Sequence, residues 1–97
     1  KAFQMEFYPP RFEDFPMLNL AYKALEKGGS YSIVYNAVNE IAVAAFRNKQ
    51  IKFTDISKIV EKIMNLDWSK TCTEIEEVVQ IDYQARNMAL QALKELN

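Results

Sequence analysis

Histidine is absent from this 97-residue chain, cysteine occurs once, and there are only two glycines and three prolines. Without histidine, the side chain most often used as a general base and as a neutral metal ligand is missing. Cys72 has no imidazole to activate it, which argues against thiolate chemistry. The two glycines are adjacent, Gly28-Gly29, and do not make the glycine-rich loop that cradles phosphates. A single cysteine also forbids an internal disulfide framework and fits a reducing compartment. The longest unbroken apolar run, residues 41–46, is far shorter than the roughly 20 residues needed to span a bilayer, so we expect a soluble, cytoplasmic domain. Neither sign of charge is in excess: 12 basic and 13 acidic residues give a net charge of −1. The lysines lie between glutamates, with no basic face to attract nucleic acid or an anionic membrane.

What is present is the composition of a folded globular protein, 49% hydrophobic and 26% charged, without repeats or low-complexity tracts. This length suits one domain, which buries roughly 60 to 65% of its unfolded surface. The chain opens on Lys1, with neither an initiator methionine nor a signal-peptide pattern, and we read it as a piece of a longer polypeptide.

The segment Asn36-Ala37-Val38-Asn39-Glu40 is the most informative. At about 100° per residue, Asn36, Asn39, Glu40, Val43 and Arg47 share one narrow stripe, while Ile33, Val34, Ile41, Ala42, Ala44, Ala45 and Phe46 cover most of the circumference. A helix of that kind belongs at the centre of a bundle, with a single polar seam. The seam can face water, bind a nearby loop, or dock another domain. Asparagines are poor helix formers whose side chains tie down irregular backbone, which favours a structural polar network over catalysis.

Around this helix the chain divides readily. Phe3, Met5 and Phe7 alternate with polar residues up to Tyr8-Pro9-Pro10, a short extended arm. Pro16 suits a first helical turn, Leu18, Ala21, Tyr22 and Leu25 follow at helical spacing, and Gly28-Gly29 ends the helix. Ser30 is placed to cap the second helix, which runs to about Arg47; the short link makes these two helices neighbours. After a turn at Asn48-Lys49-Gln50, Thr54 is placed to cap a third helix with the stripe Ile56, Ile59, Val60, Ile63 and Met64. Residues 67–72 read as a loop. Thr73-Glu74-Ile75-Glu76 has capping-box spacing and opens a fourth helix, whose apolar face reads Ile75, Val78, Val79, Ala89, Leu93 and Leu96. Asp82 and Arg86 interrupt that face four residues apart, which predicts a sheltered ion pair or a bend, with Glu40 as a further partner for Arg86. The expected fold is all-α: a small four-helix bundle-like domain preceded by a short extended arm, with the arm at residues 1–11 and the helical domain at 12–97.

Chemical groups are few. Glu74, Glu76 and Glu77 are accounted for by the positive end of a helix dipole, and Glu6, Glu13 and Asp14 lack metal-ligand spacing. Arg11, Phe12 and Phe15 read as a hydrophobic anchor before a helix rather than a platform for bases. We assign no catalytic, cofactor-binding or metal-binding residue here. The polar network is expected to comprise Asn36, Asn39, Glu40, Asp82 and Arg86.

Five ordered segments carry a resemblance. Phe12-Glu13-Asp14-Phe15-Pro16, the Gly28-Gly29 turn, Asn36-Ala37-Val38-Asn39-Glu40-Ile41-Ala42-Val43, Ile51-Lys52-Phe53-Thr54-Asp55-Ile56 and Asp82-Tyr83-Gln84-Ala85-Arg86 together resemble the C-terminal region of the 1-deoxy-D-xylulose 5-phosphate reductoisomerases. Val38 stands where that family more usually has Ala, and Tyr35 where Leu is common; both departures alter packing rather than chemistry. The resemblance implies a parent enzyme that uses NADPH and a divalent metal, Mg or Mn, to make 2-C-methyl-D-erythritol 4-phosphate in the non-mevalonate isoprenoid pathway. It implies an N-terminal dinucleotide-binding domain, a central catalytic domain with much of the contact of a homodimer, and a C-terminal helical bundle, which this chain is similar to. By itself the chain is then expected to fold, bind no cofactor and lack activity, its partners being the catalytic and NADPH-binding domains of the same polypeptide. The competing class is a free-standing helical protein-interaction module. A strand followed by Gly-x-Gly-x-x-Gly upstream favours the enzyme, and a nearby start codon favours the module.

Overall fold

The computed structural model describes residues 16–96, and these form four helices with no strand among them. The extended arm, with Phe3, Met5 and Phe7, and the Phe12–Phe15 anchor fall outside the described residues. Helix α1 is Pro16–Lys27, α2 Tyr31–Arg47, α3 Phe53–Met64 and α4 Ile75–Leu96. Helix α2 packs against all three others, as its nearly all-round apolar surface predicts. Helix α3 also touches α1 and α4, whereas α1 and α4 do not meet. The α2–α3 pair is therefore the spine of the domain, and α1 and α4 flank it.

The core is built from small and branched side chains. Val34, Ala37, Val38 and Ala42 of α2 are fully buried, and the predicted α3 stripe of Ile56, Ile59, Val60, Ile63 and Met64 is buried throughout. Helix α4 contributes Ala85, Ala89 and Ala92. Three alanines spaced by four and three residues let its backbone approach the spine closely, with Ile81, Met88 and Leu93 packed along the edges.

Two predicted faces are corrected. The stripe Leu18, Tyr22, Leu25 of α1 is exposed, and Leu20 and Ala24 are buried instead, with Met17 packed beside them. Helix α1 is apolar on most sides, so periodicity identifies the helix without fixing its rotation. Likewise Ile75, Val79 and Leu96 of α4 face outward, because the alanine line, with less apolar area but a closer fit, is the side that packs.

The helix ends also differ in detail. Gly28 and Gly29 adopt φ of +69° and +55° and end α1 as expected. Ser30 does not cap α2 with its side chain: its hydroxyl donates to the Lys70 carbonyl at 2.5 Å. Helix α3 starts one residue before Thr54, with Lys52 as the N-cap, and the Asp55 carboxylate accepts the Lys52 N–H at 3.0 Å. At the start of α4 the carboxylate that reaches back is Glu77, not Glu76. It accepts the N–H groups of Thr73 at 2.7 Å and Glu74 at 3.2 Å. The Thr73 N–H, then the Glu74 N–H, hold Glu77 down to a pKa of about 2.

Candidate functional site

The outward face of α2 carries the polar seam. Asn36, Glu40 and Arg47 are exposed there, and Asn39 and Val43 are half-buried. From α4, Arg86 reaches across: its Nη2 donates to Glu40 Oε1 at 2.8 Å, and its Nε donates to Asp82 Oδ2, also at 2.8 Å. The guanidinium is held above its ordinary range by the Asp82 carboxylate first and Glu40 second. One cation thus bridges two anions and ties α4 to α2. Asp82 and Arg86 are both about one third exposed, at 38% and 34%, so the pair is only partly sheltered. The structure therefore brings Glu40, Asp82 and Arg86 together. Neither Asn36 nor Asn39 is hydrogen-bonded to this trio.

The two asparagines line separate depressions instead. Asn36 lies with Ile33, Val78, Val79 and Asp82 in an open trough of about 310 Å³ between α2 and α4. Asn39 and Val43 lie in a deeper, mainly apolar groove of about 580 Å³, walled by Pro16, Met17 and Leu18 of α1 and by Phe53, Thr54, Ile56 and Ser57 of α3. The seam is thus a ridge between two concavities, with its charged trio towards α4.

A second polar node lies under the α1–α2 turn, and sequence reasoning missed it. Ser30 is fully buried; its N–H donates to the Trp68 carbonyl at 2.9 Å, and Cys72 Sγ lies 3.6 Å from its hydroxyl. Trp68 is itself buried, and its indole N–H donates to the Ile63 carbonyl at 2.8 Å, satisfying the C-terminal end of α3. A lone tryptophan within an otherwise polar loop was the available signal, since so large an apolar ring seldom stays in water.

At the first node both carboxylates, Glu40 and Asp82, already accept from the Arg86 guanidinium, and the second node holds no carboxylate. Among the described residues there is no group of three or more His, Cys, Asp or Glu side chains that could hold a metal ion. No described helix is long and apolar enough to cross a membrane.

Comparison with known proteins decides the family. A model described as the DXP reductoisomerase C-terminal domain matches residues 1–88. The chain belongs to this family. The 1-deoxy-D-xylulose 5-phosphate reductoisomerase of Treponema denticola is 45% identical over 87 residues, covering 90% of this chain and 23% of that protein. The reductoisomerase of Zymomonas mobilis is 45% identical over 96 residues, covering 99% of the chain and 25% of the relative. The solved structure of the Zymomonas mobilis enzyme in complex with NADPH matches at a TM-score of 0.83 and 44% identity, over 89% of this chain and 23% of that one. The chain thus spans about a quarter of the length of the reductoisomerases it matches.

Proposed function

We propose that this chain is the C-terminal helical domain of a 1-deoxy-D-xylulose 5-phosphate reductoisomerase and that its work is mechanical. The observation that carries this reading is the match of residues 1–88 to a domain described as C-terminal in that family, within relatives about four times longer. The parent is then the NADPH-dependent, Mg- or Mn-dependent enzyme that makes 2-C-methyl-D-erythritol 4-phosphate in the non-mevalonate isoprenoid pathway, a cytoplasmic homodimer. On this reading catalysis belongs to the preceding domains of the parent, which the family resemblance makes the carriers of the metal and the cofactor. The bundle, residues 12–97, packs against those domains and keeps them in register, with residues 1–11 as the connecting arm. Glu40, Asp82 and Arg86, with Asn36 and Asn39 on the same face, serve this role as structural polar groups.

The test is a parent polypeptide cut before Phe12. We expect a lower melting temperature and impaired turnover. Retention of both in full would refute the mechanical role.

A further inference from the structure

We infer that the outer stripe of α4 is self-complementary and pairs, antiparallel, with the same stripe of a second copy of this chain. Ile75, Val79, Tyr83 and Leu90 are exposed at 70%, 62%, 67% and 47%. Their spacing keeps them on one side of the helix, away from the alanine line that packs on the core. Arg86 sits between Tyr83 and Leu90 on that side, its guanidinium held by Asp82 and Glu40. Glu76 and Lys94, both exposed, are 18 positions or about five full turns apart, so they stand on one edge of the stripe at its opposite ends. Among the described residues neither takes part in an ion pair.

Charge selects both the occupant and its direction. When two copies of α4 lie antiparallel with Val79 opposite Leu90, the two-fold axis passes between positions 84 and 85, and every other pairing follows from it. Tyr83 comes opposite Arg86 of the second copy, a cation already fixed in place by its two carboxylates. Ile75 comes opposite the aliphatic stem of Lys94, whose ammonium meets Glu76 along the shared edge, once at each end of the pair. The acidic first turn of one helix also lies beside the basic last turn of the other. A parallel pairing sets Glu76 against Glu76 and Lys94 against Lys94, and these repel. An unrelated partner has to supply the same alternation of charged and apolar positions in reverse order, whereas a second copy has it by symmetry. The two stripes, with the stems of their flanking side chains, cover on the order of 1,000 Å², which suits a weak, reversible contact rather than an obligate one.

The test is zero-length carbodiimide coupling of the full-length polypeptide, with the linked peptides mapped by mass. The reagent joins a carboxylate to an amine only where the two touch. Within one α4 helix Glu76 and Lys94 are about 27 Å apart, so a Glu76–Lys94 link forms only between copies. Lys62 and Glu95, 2.7 Å apart in one chain, are the internal control. Both links are expected. Tyr83→Asp should lower the Glu76–Lys94 yield at least ~10-fold and leave the control unchanged, as loss of a central aromatic anchor does. Glu76→Lys and Lys94→Glu should each abolish coupling between positions 76 and 94, and mixing the two variants should restore it. The control link without the Glu76–Lys94 link overturns the inference, and so does an equal yield from Tyr83→Asp. Coupling of Glu76 or Lys94 to residues preceding Lys1 in place of each other overturns it too, while leaving the mechanical reading of the domain standing.

Discussion

At the scale of the residue, the clearest dependence is on Gly29. Both glycines of the turn sit in the left-handed region, yet a Cβ on Gly28 would meet nothing within 4 Å, whereas one on Gly29 would lie 2.8 Å from the Ser69 carbonyl oxygen and 2.9 Å from that of Trp68. Gly28→Ala should therefore cost only the backbone penalty, about 1–2 kcal/mol. Gly29→Ala adds a clash with main chain that cannot rotate away, and we expect a loss of at least ~3 kcal/mol by urea titration. Equal losses would mean that the close approach to residues 68–69 is unimportant. Arg86→Ala removes both bonds of the α2–α4 bridge. Screening at this exposure limits each to well under 1 kcal/mol, so the expected loss is about 1 kcal/mol in low salt and less in high salt. A loss below ~0.5 kcal/mol places the trio among ordinary surface charges. Tyr35 shows what a family departure contributes: its hydroxyl donates to the Met17 carbonyl at 3.2 Å, joining α2 to α1, and partial burial raises its pKa.

At the scale of the element, the sequence made existence plain and rotation obscure. Period and punctuation place all four helices, because Gly28-Gly29, residues 48–50 and the loop near 67–72 interrupt otherwise unbroken helical patterns. The inward faces of α1 and α4 were not legible, since each helix has apolar residues on two sides and the choice is made by fit against α2 and α3. Alanine is a weak hydrophobic signal, yet Ala85, Ala89 and Ala92 set the approach of α4. Ala89→Leu should then destabilise by about 1–3 kcal/mol despite adding apolar area, because the fully buried site has no room for it. A gain in melting temperature would contradict this packing. The N-terminal end of α4 supplies a pH test. Glu77 is bound more tightly to its backbone donors as the anion, with its pKa lowered from 4.5 to about 2. Its contribution is present above pH ~4.5 and is lost as pH falls towards 2. Glu77→Gln should lower stability at neutral pH and flatten the acid limb of the stability curve between those values. An unchanged acid limb would show that the carboxylate is not what holds this helix end.

At the scale of the whole molecule, one residue of the loop between α3 and α4 ties the end of α3 to the α1–α2 turn. Trp68 closes the end of α3 through its indole N–H and receives the α1–α2 turn through its carbonyl, so the loop between α3 and α4 acts as a strut under the bundle. Trp68→Ala should cost about 3–5 kcal/mol and loosen the turn as well as the loop. Hydrogen exchange would check it: faster exchange at both Ser30 and residues 65–72 is expected, and a change confined to the loop would deny the connection. The same scale limits what the sequence discloses about the candidate site. The ion trio was readable because Asp82 and Arg86 are four residues apart on a helix. The Ser30 node joins groups 40 and 42 positions apart, and nothing local announces it.

That separation has a consequence for the order in which the domain is made. A chain emerging from its N-terminal end at roughly 5–20 residues per second presents the Gly28-Gly29-Ser30 turn several seconds before residues 68–72 exist to hold it. During that interval Ser30 has neither its backbone acceptor nor its hydroxyl's partner, and only the direct α1–α2 contacts, such as the Tyr35 hydroxyl on the Met17 carbonyl, hold the two helices together. The buried support of the turn between the first two helices thus arrives late, from a loop synthesised after the first three helices.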